Sequence, residues 1–193
     1  GFVLPGILSR CTSSQPPSLQ LFAVQSLESW LNSLEVVLKS RDVDVKTEKS
    51  VERLKIELDR VIGIAPVLMT VWRHPSKLVN HVASSLFQRL CDTLSIILAH
   101  AQISPEEQMS RVWSTIIQVA LRQPIEHRSR YHAITLLVPR VGAAALVESQ
   151  TRIFEQLLSA MRLKEVSSSC CSCIASLLRS LVCEQAPVGF KSK

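Results

Sequence analysis

APVLMTVWRHPSKLVNHVASSLFQRLCDTLSIILA, residues 65–99, contains two helical patterns that meet at a corner one residue wide. From Leu78 an i, i+4 row runs through Val82, Leu86, Leu90, Leu94 and Leu98, flanked by Val79, Ala83, Phe87 and Cys91, so one wide apolar stripe is expected to face inward. The same period runs backwards from Trp72 through Met69, Leu68, Ala65, Ile62, Val61, Leu58, Leu54 and Val51. Two such stripes must pack against each other. Pro75 sets the corner, because its ring disfavours helical geometry at His74 and suits the first turn of the following helix. Pro66 falls inside the first helix and is expected to kink it.

Composition agrees with packed helices. Of 193 residues, 47% are hydrophobic and only 5 are glycine, which favours an all-α class. Residues 1–16 read as an irregular linker or cut edge, 17–185 as a helical-repeat domain, and 186–193 as a frayed tail. The chain opens on Gly1, so a piece of a longer protein, or a trimmed one, is expected. No apolar run reaches the ~18 to 20 residues that span a bilayer, and a soluble, cytoplasmic protein without membrane insertion follows as the expectation. The cysteines at 11, 91, 170, 171, 173 and 183 fall mostly on apolar helical faces, as free buried thiols do. CCSC at 170–173 has no matching Cys/His pair elsewhere, so core packing is the reading and no metal is assigned.

About seven helices emerge in order: 17–40, 47–72, 75–100, 104–123, a short one from Arg130 to Val138 broken by Pro139 and Gly142, then 143–163 and 166–185. Leu19, Phe22, Trp30 and Leu34 are placed on the buried side of the first, and Phe154, Leu157, Leu158 and Met161 on that of the sixth. Ser104-Pro105-Glu106-Glu107 is the clearest helix start, with a hydroxyl cap, proline at the first position and a glutamate three residues on. Antiparallel helix pairs joined by short loops suggest an α-solenoid of the HEAT or armadillo type, with a closed bundle as the alternative.

Nothing points to catalysis. There is no glycine-rich loop and no HExxH, GxSxG or Walker sequence, so no enzyme and no cofactor are expected. The histidines at 74, 81, 100, 127 and 132 are scattered, and His74 and His81 read as caps at the corner. Charge is more informative. The net value is +1 for 1–15, −1 for 16–40, 0 for 41–60, 0 for 61–110, +4 for 111–140 and +2 for 141–193. Within the basic stretch, Arg122, Arg128, Arg130 and Arg140 are expected to line one surface able to neutralise phosphates, with Tyr131 either stacking on a base or packing inward.

Two segments carry a resemblance. WRHPSKLVNHVASSLFQRL, from Trp72, resembles the W-x-H-P…V-x-H…F-x-x-L corner of the THADA family of large helical-repeat proteins, which includes fungal tRNA-methylation partners. RYHAITLLVPRVGAAAL, from Arg130, is similar to that family's R-Y-x-x-L-x-x-L-V-P-x-x-G-A segment. The matching positions are Trp72, His74, Pro75, Val79, His81, Phe87, Arg130, Tyr131, Leu137, Val138, Pro139, Gly142 and Ala143, while the family's R-R-S-A-G-L-P segment does not occur. The resemblance implies a section of a longer solenoid that binds tRNA and docks a 2′-O-ribose methyltransferase acting on the anticodon loop. It also implies that the partner, not this chain, carries the cofactor and the chemistry. The competing expectation is a protein–protein scaffold with no nucleic-acid role, reading a partner helix or peptide in a groove.

Overall fold

The computed structural model describes residues 16–40, 48–73, 76–101 and 103–185, and among these every regular element is a helix. The chain divides into two compact units, Gly1–Val119 and Ala120–Lys193. His74 and Pro75 of the expected corner, Cys11, and the 186–193 tail lie outside the described residues.

The first unit is organised around one helix. α1 (Pro17–Lys39) and α2 (Glu48–Val71) both pack along α3 (Lys77–Ala101). By length and composition α3 is apolar enough to cross a bilayer. Its central apolar residues are buried against its two neighbours: Leu86, Phe87, Leu90, Leu94 and Ile97 are all but inaccessible. Trp72, at the end of α2, meets Phe87 with ring centroids 5.4 Å apart and planes tilted by 42°. The two leucine-rich patterns therefore pack as their stripes require. Pro66 stands within α2, which continues through it to Val71.

Two parts of the expected core are corrected. Leu78 is 58% exposed, because a strict i, i+4 row winds about 40° around the helix at each step. Over the five steps from Leu98 to Leu78 the row leaves the buried face. Leu19 and Phe22 are also exposed, because the face of α1 is set by Ala23, Val24, Leu27 and Leu31 and the two residues stand beside it. Trp30 and Leu34 are half-buried.

After Ala101 the chain starts again at Ser104, whose hydroxyl accepts from Glu107 N at 3.3 Å while Pro105 takes the first helical position. α4 (Pro105–Glu107) runs directly into a π-helical segment, Gln108–Trp113, and on into α5 (Ser114–Leu121). A π turn adds a residue per turn without changing which residue types are apolar, so composition does not reveal it.

The second unit contains α6 (Arg128–Val141), α7 (Ala143–Ser149), α8 (Ile153–Ala160) and α9 (Ser167–Gln185), with α9 packed against the other three. α6 is longer than expected at both ends. Pro139 sits in its last turn, where it removes the N–H that would bond Thr135 O, and the helix stops three residues later at Gly142 with φ 84°. The single helix expected over 143–163 is two, because Gln150 leaves the helical region at φ −142°, ψ 79°. Leu146 and Ile153 are seven residues apart, a spacing that an unbroken helix would also show, so the interruption leaves no trace in the pattern. Leu158 is 59% exposed beside the buried Leu157, because the buried face of α8 is set by Ile153, Leu157 and Ala160 and Leu158 stands about 100° round from Leu157.

Candidate nucleic-acid interface

The basic turn between α5 and α6 is built by the two residues that would have seemed its best ligand contacts. Helix ends leave backbone carbonyls without helical donors. Arg130 supplies them: Nη1 donates to Leu121 O at 2.6 Å and Gln123 O at 2.7 Å, and Nη2 donates to Gln156 Oε1 on α8 at 2.7 Å. Arg130 is 8% exposed, and burial pulls its pKa below the usual arginine value. Tyr131 is 1% exposed and its hydroxyl donates to Ile125 O, while burial holds its pKa far above the usual tyrosine value. Both side chains are taken up in locking the turn. Tyr131 packs inward, the second of the two readings open for it, and Arg130 holds the turn instead of lining an exposed basic surface, because the sequence shows the guanidinium but not the three acceptors converging on it.

The remaining expected residues separate. Arg122 is exposed on the turn, and Arg128 is exposed at the start of α6 with Nε donating to Glu165 O at 2.6 Å. Arg140 is half-buried and donates to Leu136 O within its own helix. Arg128 and Arg130, two residues apart, point about 200° apart around α6. One is tied to the turn before α9 and the other to α8, so the four arginines do not share a single face. The turn whose Glu165 carbonyl accepts from Arg128 also carries Arg162 and Lys164, both exposed. By sequence alone these two fall in a weakly basic stretch with nothing to link them to Arg128.

His132 lies one helical turn after Arg128, with Nε2 3.5 Å from Ser169 Oγ on α9. Burial first, and then the Arg128 charge, lower its pKa. At the far end of α6, Glu184 of α9 closes the junction with α7. Its carboxylate accepts from Ala143 N at 2.7 Å, Ala144 N at 3.0 Å and Ser180 Oγ at 2.5 Å. The Ser180 hydroxyl and the Ala144 and Ala143 amides hold this carboxyl below its usual pKa. A Cβ at Gly142 would stand 3.4 Å from Glu184 Oε1 on a backbone that side chains rarely adopt, so the glycine suits this cap.

At the other motif, Trp72 is buried and His81 is exposed. The capping contact comes from Asn80, whose Nδ2 donates to Trp72 O at 2.5 Å. An asparagine in the first turn of a helix is the signal that could have found it.

Cys170 and Cys173 are buried in α9, and burial pushes the Cys173 thiol up to about 11. Among the described residues no three ligating side chains converge. A cleft of about 440 Å³ in the first unit is lined by Glu35, Lys39, Ser85, Gln88, Arg89, Asp92 and Ile96. Its two acids and two bases cancel.

The units differ in charge. Gly1–Val119 carries 12 basic against 11 acidic residues and Ala120–Lys193 carries 10 against 5, which together make the net +6. In the first unit Lys39 pairs with Glu35, Arg60 with Glu57, and Arg111 with Asp59. In the second, Arg128 and Arg130 bond to neutral carbonyls. Arg122, Arg152, Arg162, Lys164 and Arg179 are exposed, without an ion pair among the described residues.

These features define an all-helical chain with a positively charged second unit. No protein-family model, curated protein or solved structure matches it.

Proposed function

We propose that this chain is a section of an α-solenoid of the HEAT or armadillo type, acting as a non-catalytic companion that binds structured RNA of the tRNA class. The observation that carries this reading is the charge of the second unit: Arg128 is held by an uncharged carbonyl, and Arg122, Arg152, Arg162, Lys164 and Arg179 are exposed without an ion pair among the described residues, so their positive charge stays available to a polyanion. The residues matching the helical-repeat family support the repeat reading, because Trp72, Phe87, Arg130, Tyr131 and Gly142 are the groups that fix helix corners. Docking of a 2′-O-ribose methyltransferase, which would bring the cofactor and perform the reaction in the cytoplasm, follows from that resemblance alone.

The test is the affinity of the chain for a folded tRNA and for duplex DNA, titrated over salt. A preference for tRNA that falls roughly thirtyfold or more in Arg122→Ala with Arg128→Ala, with a salt slope lower by about 2, is the expected result. Equal and weak binding to both nucleic acids would overturn it.

A second reading, a protein–protein scaffold, is favoured by one observation. Leu178 and Val182 stand one turn apart on α9, 50% and 69% exposed, and Leu19 and Phe22 are uncovered on α1. Such faces are where neighbouring helices or partners pack. Binding of a protein partner by a chain indifferent to both nucleic acids would select this reading.

A further inference from the structure

A guanidinium can be anchored in two ways. Used through its Nη atoms it is a structural clip, as Arg130 is. Anchored through Nε alone, it keeps the Nη pair, the planar fork that matches a phosphate in bidentate fashion. Arg128 is of the second kind. Its Nε donates to Glu165 O at 2.6 Å, and the residue is exposed with no further hydrogen bond or ion pair among the described residues. The anchor removes much of the rotamer freedom an exposed arginine would lose on binding, so the fork is organised before a ligand arrives.

The anchoring turn is itself defined. Val166 N and Ser167 N both donate to Leu163 O, at 3.1 and 3.0 Å, which fixes the loop carrying Arg162 and Lys164. Glu126 and Glu165 are the exposed carboxylates close by in sequence, and α9 has no acidic residue in its first turn. The α6 start and the turn bonded to it therefore carry three exposed cations against two exposed acids, with the anchored fork among them.

We infer that Arg128 is a preorganised fork for a phosphodiester group, buttressed by the backbone at Glu165 and assisted by Arg162 and Lys164 from the same turn. This rests on the RNA reading of the second unit and names the position within it where the backbone of the RNA is gripped. It departs from the sequence expectation, since the arginine's neighbours in the site are residues 162 and 164 and not 130 and 140.

The deciding variant is Arg128→Lys in the full chain, which retains the charge and removes both the Nε anchor and the fork. Affinity for tRNA is expected to fall roughly tenfold in Arg128→Lys and in Arg128→Ala alike. The salt slope should stay near wild type in the lysine variant and drop by about 1 in the alanine variant. Arg60→Lys, in the first unit, is the charge-preserving control. Arg162→Ala with Lys164→Ala changes two exposed side chains and leaves the backbone bonds of the turn in place, so a fall in affinity, expected at roughly threefold or more, reports binding with folding intact. Wild-type affinity in Arg128→Lys, with an unchanged melting temperature, would overturn the fork, and wild-type affinity in the double variant would remove the turn from the site. Inorganic polyphosphate as a second probe separates this inference from the RNA reading. Binding to polyphosphate but not to tRNA, with the same fall in Arg128→Lys, would keep the fork and reject the RNA, while binding to neither would reject both.

Discussion

Arg130 and Tyr131 adjoin in sequence, are both buried, and are satisfied by backbone groups of the same turn, so their substitution should be read in stability before it is read in binding. Arg130→Ala leaves two carbonyls and the Gln156 amide oxygen without their donor, which is expected to cost about 2–4 kcal/mol because each unsatisfied buried acceptor is expensive. Tyr131→Phe removes only the bond to Ile125 O and is expected to cost about 1 kcal/mol. Chemical denaturation of the two variants checks both the values and their order. Acid should weaken the second unit in two stages. His132 has a folded pKa below 6.5, so the folded unit binds fewer protons there than the unfolded chain, and its contribution is present above pH 6.5 and disappears as pH falls through the lowered value. Glu184 behaves likewise below 4.5. Glu184→Ala should therefore lower stability by about 1 kcal/mol at neutral pH, as the loss of a helix cap does, and by less at pH 3, which a series of thermal melts would show. Arg128→Ala should raise the His132 pKa, because a like charge is removed while burial remains, and proton NMR of the imidazole reads this directly.

At the level of helices, the strength of a periodic pattern decides how much of it can be read. α2 and α3 are legible almost to the residue because their stripes are long and both must be buried, and Trp72 is legible as the corner because no other large aromatic stands there. What fails is local geometry that leaves the pattern unchanged: the π turn at Gln108–Trp113, the departure at Gln150, and the winding of the leucine row that carries Leu78 out to solvent. The candidate site is less legible than the fold for a related reason. A pattern shows which residues are basic, but whether an arginine clips carbonyls or faces water depends on acceptors brought from α5, α8 and the turn before α9. The corner offers a test at this scale. Trp72→Ala should cost about 3–5 kcal/mol, because the ring packing on Phe87 disappears and a cavity is left behind. Asn80→Ala should cost about 1 kcal/mol by releasing Trp72 O. Were the two equal, the corner would be held by its cap and not by its ring packing.

For the whole molecule the decisive quantity is where the +6 resides. A net charge alone attracts any polyanion, and its effect would follow total charge whichever residue is removed. The charge here is local: +5 belongs to Ala120–Lys193 and +1 to Gly1–Val119. At physiological salt, fields fade over about 8 Å, so exposed cations act on phosphates near them and hardly on distant ones. Two triple variants with the same change in net charge separate the possibilities. Lys39, Arg60 and Lys77 changed to alanine take three charges from the first unit, and Arg122, Arg128 and Lys164 changed to alanine take three from the second. The first set should leave the salt slope of tRNA binding near its wild-type value. The second should flatten it by about 0.9 for each phosphate that is no longer neutralised. Equal effects in both would mean that total charge governs binding, and the anchored arginines of the second unit would then matter for its folding alone.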